Sequence, residues 1–340
     1  MPTEKPGRSR PDLMLYAKLA QYAPGYVCGQ LELTSRCLQR CPMCASWRDS
    51  EPQGEMPMRT IVDLFHELNQ LRTFEHLSLT GGDPQCYPFL EAVAKHPRKF
   101  QLQLTTAMMA MPKPWYEHFD RIRVSFDAVD PLMHKAMRGV YRAFPTTALE
   151  YLEGIDTEVS TLTTVNEHNI DAVPQILEFL TDYSFRNNRF RRAIFLLEIR
   201  DDLPQDVIDT FQEYTLQSRM WNLNTSFGES PIHAALMRNS ALTRDCRCYV
   251  GDVSFHIKCN GDVYPCCLIG GEAIPTVTEM KIGNIGKEEI EGMFGLQWTH
   301  THRPANYYKN QPECRKVCQW KQVTFNTMVK EAIDVRLAMP

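Results

Sequence analysis

The stretch LTSRCLQRCPMC (Leu33–Cys44) places three cysteines in eight residues, with three and then two other residues between them. It continues from VCGQLELTS (Val27–Ser35), whose apolar and β-branched residues predict a strand. A structural zinc site closes its shell with four protein ligands, whereas a catalytic metal site keeps one position open. Three cysteines at these spacings can ligate three irons of a cubane iron-sulfur cluster and leave the fourth iron open. The alternative is a zinc ion with a fourth ligand from elsewhere in the chain.

The composition excludes several classes of protein. The 340 residues include 37 basic and 41 acidic side chains, so a net charge of -4 gives no field that favours nucleic acid or an anionic membrane. We find neither a signal peptide nor a stretch of about 18 apolar residues, and we expect a cytoplasmic protein without a membrane segment. Twelve cysteines in a reducing compartment indicate metal binding more than disulfides. Five lie at positions 28–86 and seven at 246–318, which predicts two metal regions.

Short apolar runs alternate with helical patterns between the two cysteine regions, which is typical of βα units around a parallel sheet. Amphipathic helices are predicted over Met58–Arg72, Ala172–Tyr183 and Asp206–Gln217. Six units without an obvious seventh and eighth predict an α/β fold, the partial (β/α)6 TIM-like barrel. The six predicted strands are Val27–Ser35, His76–Gly82, Phe100–Ala107, Arg121–Ala128, Thr157–Val165 and Arg192–Arg200.

The pattern changes beyond residue 220. VSFHIKCNGDVYPC (Val253–Cys266) predicts two strands joined at Asn260-Gly261, a dipeptide typical of tight hairpins. We therefore predict a small cysteine-rich β-hairpin domain and, over the amphipathic Phe325–Met339, a C-terminal helix. The predicted boundaries are an N-terminal extension at 1–26, the barrel at 27–220, the cysteine-rich domain at 221–322 and the helix at 323–340.

Polar motifs lie at the carboxyl ends of the predicted strands, where barrel folds place their functional groups. The three-cysteine loop follows the first strand, GGDP the second, TT the third, SFD the fourth, TVN the fifth and EIR the sixth. Glu198 and Arg200 of EIR are candidate catalytic groups at the barrel mouth, with a surface ion pair as the alternative. Cys28 and Cys86 have no partner at a metal-binding spacing and are expected to be buried free thiols.

The spacing of Cys37, Cys41 and Cys44 after the first strand of a six-unit barrel resembles the radical S-adenosylmethionine (SAM) superfamily. The resemblance implies a 4Fe-4S cluster on these cysteines, whose open iron is chelated by the amino and carboxylate groups of SAM. It further implies reductive cleavage of SAM to a 5′-deoxyadenosyl radical that abstracts a hydrogen atom. An electron donor such as flavodoxin or ferredoxin is implied as a partner.

Further motifs extend the resemblance to SAM-binding residues. TGGDP (Thr80–Pro84) is similar to the glycine-rich strand end that meets the SAM amino group, with Asp where the family more often has Glu. VSFDAVDPLMHKAMRG (Val124–Gly139) resembles the SxD…H…RG segment of members with extra clusters, and TVN resembles their fifth strand end. TTA (Thr105–Ala107) departs from the usual TNG, so no contact is predicted from that loop. The implied cofactor-binding residues are Met43, Gly81, Gly82, Asp83, Ser125, Asp127, Arg138 and Asn166.

The C-terminal cysteines resemble the SPASM or twitch extension of these enzymes, which holds auxiliary four-iron clusters. Twelve residues separate Cys248 from Gly261, and four separate Gly261 from Cys266. A full SPASM region has a further CxxC pair and a last cysteine, which this sequence lacks. The resemblance therefore implies one auxiliary 4Fe-4S cluster, on Cys248, Cys266, Cys314 and Cys318. Cys246, Cys259 and Cys267 are alternative ligands. If two of them joined a separate site, a second auxiliary cluster would be possible. The other interpretation of this region is a zinc ribbon.

Three functions are compatible with these motifs. The preferred one is a radical SAM enzyme that dehydrogenates, dehydrates or rearranges a small-molecule, sugar or nucleotide-type substrate. The second is a maturase that modifies a ribosomal precursor peptide. About 26 residues precede the first strand, too few for the winged peptide-binding domain that many such enzymes carry. The third is a non-enzymatic metal scaffold, which is disfavoured because the motifs coincide with strand ends.

Overall fold

The computed structural model describes residues 28–44, 54–71, 74–139, 145–198, 203–217, 223–228, 254–264 and 281–286. These residues form one sheet of ten strands. The strands are β1 Cys28–Glu32, β2 His76–Thr80, β3 Gln101–Thr106, β4 Arg121–Ser125, β5 Glu158–Val165, β6 Phe190–Leu197, β7 Thr225–Gly228, β8 Ser254–Ile257, β9 Asp262–Tyr264 and β10 Gly283–Asn284.

The strand order is β10-β9-β8-β1-β2-β3-β4-β5-β6-β7. From β1 to β7 each strand pairs in parallel with the next one along the chain, as repeated βα units require. This confirms the α/β fold of a partial TIM-like barrel. The structure also adds a parallel strand that the sequence did not predict, because the four residues TSFG of β7 are too short and too small to give a strand pattern.

Helices connect the parallel strands. Each buries one apolar stripe: in α1 the buried residues Ile61, Leu64, Phe65 and Leu68 recur at intervals of three and four. Short 3-10 helices lie at Pro84–Cys86, Pro114–His118 and Ile170–Ala172. The α-helices are α1 Met58–Gln70, α2 Leu90–Lys95, α3 Pro131–Arg138, α4 Pro145–Leu152, α5 Val173–Arg186 and α6 Gln205–Gln217.

The predicted hairpin is present as β8 and β9, which pair in antiparallel fashion across a turn that contains Gly261 at φ 87°. It belongs to the barrel sheet, because β8 also pairs in parallel with β1. Phe255 of β8 packs over Gly29 of β1, where an added Cβ would lie 2.3 Å from the ring. Its ring stacks on Phe74, with 5.7 Å between the centroids. The hairpin thus continues the sheet on the side of β1 opposite to β2.

The barrel strands have two different faces. Ile122 and Val124 of β4 and Val159 of β5 are fully buried in the apolar core, which they share with helix residues such as Leu149 of α4. Strand residues alternate between faces, so the intervening positions of β4 and β5 lie on the opposite side of the sheet. We call this side the inner face. It carries polar and charged residues at most positions, including Arg121, Arg123, Ser125, Glu158 and Ser160.

Several predicted segments fall outside the described residues: the N-terminal extension at 1–26 and the C-terminal helix at Phe325–Met339. Among the helices of the described ranges, none has the length and apolar character needed to cross a membrane.

Candidate functional site

The loop at residues 33–44, called the cysteine loop below, leaves β1 and is bound to the end of β2. The backbone N–H of Gly82 donates to the carbonyl of Thr34 at 2.7 Å, and that of Asp83 donates to the carbonyl of Arg36 at 2.9 Å. A Cβ on Gly82 would lie 2.3 Å from the Arg36 carbonyl oxygen, and one on Gly81, at φ 132°, would lie 2.3 Å from that of Thr34. Both glycines are therefore required for this close approach of two backbones.

The other side of the cysteine loop contacts the C-terminal end of α3. The N–H of Arg40 donates to the carbonyl of Arg138 at 3.1 Å. Gly139 ends α3 in the left-handed region at φ 75°, and a Cβ there would lie 2.7 Å from the Arg40 carbonyl oxygen. The Arg-Gly pair of the sequence motif thus has a local explanation: glycine ends the helix and lets the cysteine loop pack against it.

Two of the three sulfurs lie in defined surroundings. Sγ of Cys37 accepts from the N–H of Gln39 at 3.4 Å and lies 4.0 Å from Sδ of Met109. Sγ of Cys41 lies 3.8 Å from a guanidinium nitrogen of Arg138. Burial raises the pKa of Cys37 to about 12, and burial also raises the pKa of Cys41 against the opposing effect of Arg138. Thiols in these positions become thiolates when a metal supplies the positive charge.

Gln39 carries a buried polar group whose missing partner a bound cluster would supply. Its side chain is 1% exposed, its Oε1 lies 3.6 Å from Sγ of Cys41, and its Nε2 is buried without a hydrogen bond among the described residues. A sulfur of an anionic cluster would provide the missing acceptor. Within the described ranges no three His, Cys, Asp or Glu side chains converge as ligands of one metal ion would. A cubane needs no such convergence, because each cysteine binds a different iron, and the unsatisfied Nε2 of Gln39 is the feature that fits a cluster.

Asp127 and Arg138 form a buried ion pair behind the cysteine loop. Their side chains are 0% and 12% exposed. Asp127 also accepts from the N–H of Thr164 at 2.8 Å, and burial raises its pKa although Arg138 opposes that shift. The pair joins the end of β4 to the end of α3, and through Arg138 it reaches Cys41. Asp127 and Arg138 were predicted to contact SAM. In the structure they contact each other, and they also contact Thr164 and Cys41.

The carboxylate of Asp83 connects the ends of β2 and β3. It accepts from Oγ1 of Thr106 at 2.8 and 3.0 Å, from the N–H of Ala107 at 2.8 Å and from the N–H of Gln85 at 2.9 Å. Its side chain is buried, and a cofactor contact at this position would come from the backbone. The TTA segment, from which the sequence predicted no cofactor contact, thus has a structural role in holding Asp83.

A group of methionines at the end of β3 was not recognised from the sequence. Met108 is fully buried with φ 52°, and Met109 is the residue that contacts Cys37. Gln85 holds this segment through two hydrogen bonds of 2.9 Å with the backbone of Ala110. Met43, predicted near the adenine, is half-buried in the cysteine loop. The consecutive methionines after a predicted strand end were the available signal, since soft apolar side chains suit the surroundings of a cluster.

The remaining predicted site residues lie at the ends of β4, β5 and β6. Ser125 ends β4 on the inner face and is half-buried. Asn166 follows β5 and is 2% exposed, and its Nδ2 donates to Oε2 of Glu198 at 2.8 Å. Glu198 therefore hydrogen-bonds a residue at a neighbouring strand end, and its catalytic role stays a prediction. Arg200 lies outside the described residues.

The second metal region is only partly described. Cys259, an alternative ligand, is buried at the β8–β9 turn, and burial raises its pKa to about 11. Cys28 and Cys86, expected to be buried, are half-buried. The residues predicted or considered as auxiliary ligands that lie outside the described ranges are Cys246, Cys248, Cys266, Cys267, Cys314 and Cys318.

Two family models match this chain. Residues 31–180 match the model described as the radical SAM superfamily, and residues 246–319 match the SPASM model, described as an iron-sulfur cluster-binding domain. The first match begins within β1 and includes the cysteine loop, the glycine pair and the Asp127–Arg138 pair. The second includes the hairpin and all seven C-terminal cysteines. Both agree with the resemblance carried by the sequence motifs.

Solved structures share the fold. Streptococcus suis SuiB bound to the precursor peptide SuiA has a TM-score of 0.64 at 15% identity, over 82% of this chain and 67% of that one. SuiB bound to S-adenosylmethionine has a TM-score of 0.63 at 13% identity, over 88% and 74%. Native anSMEcpe, bound to AdoMet and the Kp18Cys peptide, has a TM-score of 0.54 at 15% identity, over 92% and 99%.

Proposed function

Because this chain belongs to the radical SAM superfamily and carries a SPASM iron-sulfur cluster-binding domain, we propose that it reductively cleaves SAM and abstracts hydrogen from a small-molecule, sugar or nucleotide-type substrate. The reaction is a dehydrogenation, dehydration or rearrangement, so the enzyme is of the oxidoreductase or isomerase/lyase type. The observation that carries the proposal is the cysteine loop, fixed between the β2 end and α3 with a buried guanidinium 3.8 Å from one of its sulfurs.

In this proposal Cys37, Cys41 and Cys44 hold the cluster. When bound, the cluster supplies the electron that splits SAM into methionine and a 5′-deoxyadenosyl radical. Arg138 offsets the negative charge at Cys41, and Met109 shields the sulfur of Cys37 from water.

SAM itself is held by residues at the strand ends. The backbone of the glycine-rich end of β2 would bind its amino group, and the half-buried Met43 of the cysteine loop would contact its adenine. We assign to Glu198, whose carboxylate accepts from Asn166, and to Arg200 the role of hydrogen-bonding a substrate or moving a proton. The residues assigned to the cofactor are Met43, Gly81, Gly82, Asp83, Ser125, Asp127, Arg138 and Asn166.

The second metal region holds one auxiliary 4Fe-4S cluster in this proposal, on Cys248, Cys266, Cys314 and Cys318. Such a cluster suits a reaction that takes or lends one electron after hydrogen abstraction. A small redox protein such as flavodoxin or ferredoxin is the proposed electron donor.

A peptide substrate is the second candidate. Two structures with the same fold, SuiB with SuiA and anSMEcpe with Kp18Cys, contain bound peptides. At 13–15% identity this likeness concerns the fold, so the substrate has to be identified by experiment. Incubation of the reduced enzyme and SAM with a metabolite extract, and separately with short peptides encoded beside the gene, distinguishes the two by which sample changes in mass.

Anaerobic reconstitution tests the proposed activity. We expect about eight irons per chain and formation of 5′-deoxyadenosine with dithionite and SAM. Cys41→Ser should lose about four irons and all of the nucleoside product, whereas Cys86→Ser, outside the cysteine loop, should keep both. Stoichiometric zinc without 5′-deoxyadenosine in the wild-type protein would refute the proposal.

A further inference from the structure

A row of polar side chains crosses the inner face of the sheet. The register pairs Thr105 of β3 with Arg123 of β4, Arg123 with Ser160 of β5, and Ser160 with Arg192 of β6. The interior of a closed barrel is usually filled by branched apolar side chains. Apolar packing therefore does not explain a row of four polar or charged residues across four strands.

Arg123 is the central residue of this row. Its guanidinium makes one hydrogen bond among the described residues, 3.4 Å to Oε1 of Gln103, and its Nε is buried without a partner. The Gln103 amide is itself held in place, because its Nε2 donates to Ser78 and Thr105 at 3.1 Å each. A guanidinium has five N–H donors, so most of the capacity of Arg123 is unused within the described part of the chain.

The carboxylate of Glu158 on the neighbouring strand pairs with other arginines and not with Arg123. Glu158, on the same face of β5, binds Arg121 through Oε2 at 3.0 Å and Arg191 through Oε1 at 3.0 Å. No carboxylate in the described ranges lies within ion-pair distance of Arg123. On the inner face of β4 and β5, Arg121 and Glu158 thus pair with each other, and Arg123 keeps its positive charge without a carboxylate partner among the described residues.

Ser160 carries a second buried polar group without a partner among the described residues. Its side chain is 3% exposed, and its Oγ is buried without a hydrogen bond among the described residues. A buried hydroxyl without a partner is costly, because it loses its bonds to water and gains none in return. Ser160 lies directly between Arg123 and Arg192 across the strands. Ser160 thus carries a second donor without an acceptor among the described residues, at the register position beside Arg123.

Burial and neighbouring arginines lower the pKa of two groups on this face. Burial, together with Arg121 and Arg192, lowers the pKa of Arg123 to about 10. Burial, together with Arg121 and Arg123, lowers the pKa of His76 on β2 to about 4. His76 is therefore neutral at pH 7 and does not add to the positive charge, and an anion is the ligand that this surface favours.

We propose that Arg123 and Ser160, with the charge of Arg192 beside them, form a subsite that binds an oxyanion, the carboxylate or phosphate group of the substrate. The planar fork of a guanidinium suits both groups, and the serine hydroxyl adds a donor. The inference rests on the proposed function, since it names a chemical feature of that enzyme's substrate.

The position of the subsite fixes how a substrate would lie. Arg123 precedes Ser125 by two residues on the same face of β4, which places it about 7 Å deeper in the sheet than the strand end. The oxyanion would therefore lie inside, and the reacting carbon would lie nearer to the strand ends, where the cofactor is proposed to bind. Such a group orients the substrate without taking part in the chemistry.

Thermal unfolding of the full-length protein tests the subsite. We expect inorganic phosphate, succinate or both to raise Tm by about 2–4 °C above sodium chloride of equal ionic strength. Arg123→Met should abolish this rise and should itself raise Tm in chloride, because it removes a buried charge that has no carboxylate partner. Arg98→Met is the matched control: Arg98 is paired with Asp120 at 3.1 Å and is 12% exposed, so its loss should lower Tm and leave the anion response intact.

The outcomes distinguish the sources of the oxyanion. A response to phosphate alone identifies a phosphorylated substrate, and a response to succinate alone identifies a carboxylate. The proposal is wrong if neither anion acts on the wild type, if Arg123→Met keeps the response, or if that variant has a lower Tm in chloride, which would show Arg123 already paired within the chain.

If Arg123→Met does not fold, Ser160→Ala tests the same subsite. A smaller anion response with an equal or higher Tm in chloride supports the subsite, because the substitution removes a buried hydroxyl without a partner, and an undiminished response overturns it. None of these measurements involves SAM cleavage. A failure of the proposed enzymatic activity and a failure of the subsite are therefore separate results.

Discussion

Gln39 lies between two cysteines of the cysteine loop and contacts both. Its N–H donates to Sγ of Cys37, and its carboxamide oxygen lies 3.6 Å from Sγ of Cys41. A thiol can donate to that oxygen, but a thiolate only accepts. A half-turn of the amide exchanges oxygen and nitrogen at almost no steric cost. Once Cys41 ligates iron, we therefore expect Nε2 to face the sulfur, which gives this buried donor the partner it lacks.

Gln39→Leu is expected to make the reduction potential of this cluster more negative by about 20–60 mV, because a hydrogen bond to sulfur stabilises the reduced, more negative cluster. The measurement is a redox titration followed by electron paramagnetic resonance, on the signal that disappears in Cys41→Ser. Leu38→Ala is the control, since Leu38 is adjacent but 55% exposed. An unchanged potential at full iron content would show that Gln39 has no such bond.

Arg138 has two partners, the Asp127 carboxylate and the Cys41 sulfur, so its removal should affect stability strongly. Arg138→Met leaves Asp127 fully buried without its cation, and we expect a loss of about 3–5 kcal/mol in the free energy of unfolding. The double variant Asp127→Asn, Arg138→Met should be more stable than the single one, since no unpaired charge remains. Urea unfolding under anaerobic conditions measures both.

Arg59→Met is the matched control for that experiment. Arg59 also pairs with an aspartate, Asp63, at 3.9 Å, but its side chain is 94% exposed. An exposed pair of this kind contributes little, so we expect a change below about 1 kcal/mol. Equal effects of the two arginine substitutions would contradict a stabilising role for the buried pair.

The cysteine loop is held by backbone contacts from two elements, and glycines make both contacts possible. Gly82 allows the β2 end to approach the Arg36 carbonyl, and Gly139 allows α3 to approach that of Arg40. Neither approach leaves room for a side chain. The loop is thus positioned by β2 and α3 together.

Gly82→Ala should displace this loop, because its Cβ would lie 2.3 Å from a carbonyl oxygen that is itself hydrogen-bonded to Asp83. We expect a loss of about 1–3 kcal/mol in unfolding free energy and faster release of iron to a chelator. Gly154→Ala, whose Cβ would have its closest contact at 3.7 Å, should change unfolding by less than about 0.5 kcal/mol. Similar behaviour of the two variants would show that the loop yields easily.

Local patterns predicted the first six strands, the β8–β9 hairpin and three of the helices, whereas long-range contacts decided the site. The helix α3 was not predicted, although Asp130, Pro131 and Gly139 are typical of helix ends: the aspartate accepts from two backbone N–H groups and the glycine lies in the left-handed region. No such signal identifies Gln39, whose role depends on two sulfurs and on burial. The same holds for Arg123: RIRVS predicts a strand, but the absence of a nearby carboxylate is visible only when β3, β4 and β5 are assembled.

The second cysteine region does more than add a cluster domain after the barrel. Its hairpin pairs β8 with β1, so the strand that leads into the cysteine loop has a neighbour on each side. Nε2 of His256 and Oε1 of Glu32 lie 3.0 Å apart across that junction, with side chains 5% and 20% exposed. The region that matches the SPASM model therefore helps to hold the strand from which the first cluster loop begins.

Phe255 is a buried aromatic residue at this junction, and its substitution tests the junction directly. Its ring fills the space over Gly29 and stacks on Phe74, so Phe255→Ala should lose about 3–5 kcal/mol in unfolding free energy. Phe185→Ala, on a ring that is 74% exposed, should change it by less than about 0.5 kcal/mol. Because β1 precedes the cysteine loop directly, Phe255→Ala should also speed iron loss from the Cys41-dependent cluster. If iron is lost at the wild-type rate despite the lower stability, the hairpin supports the sheet without positioning the cysteine loop.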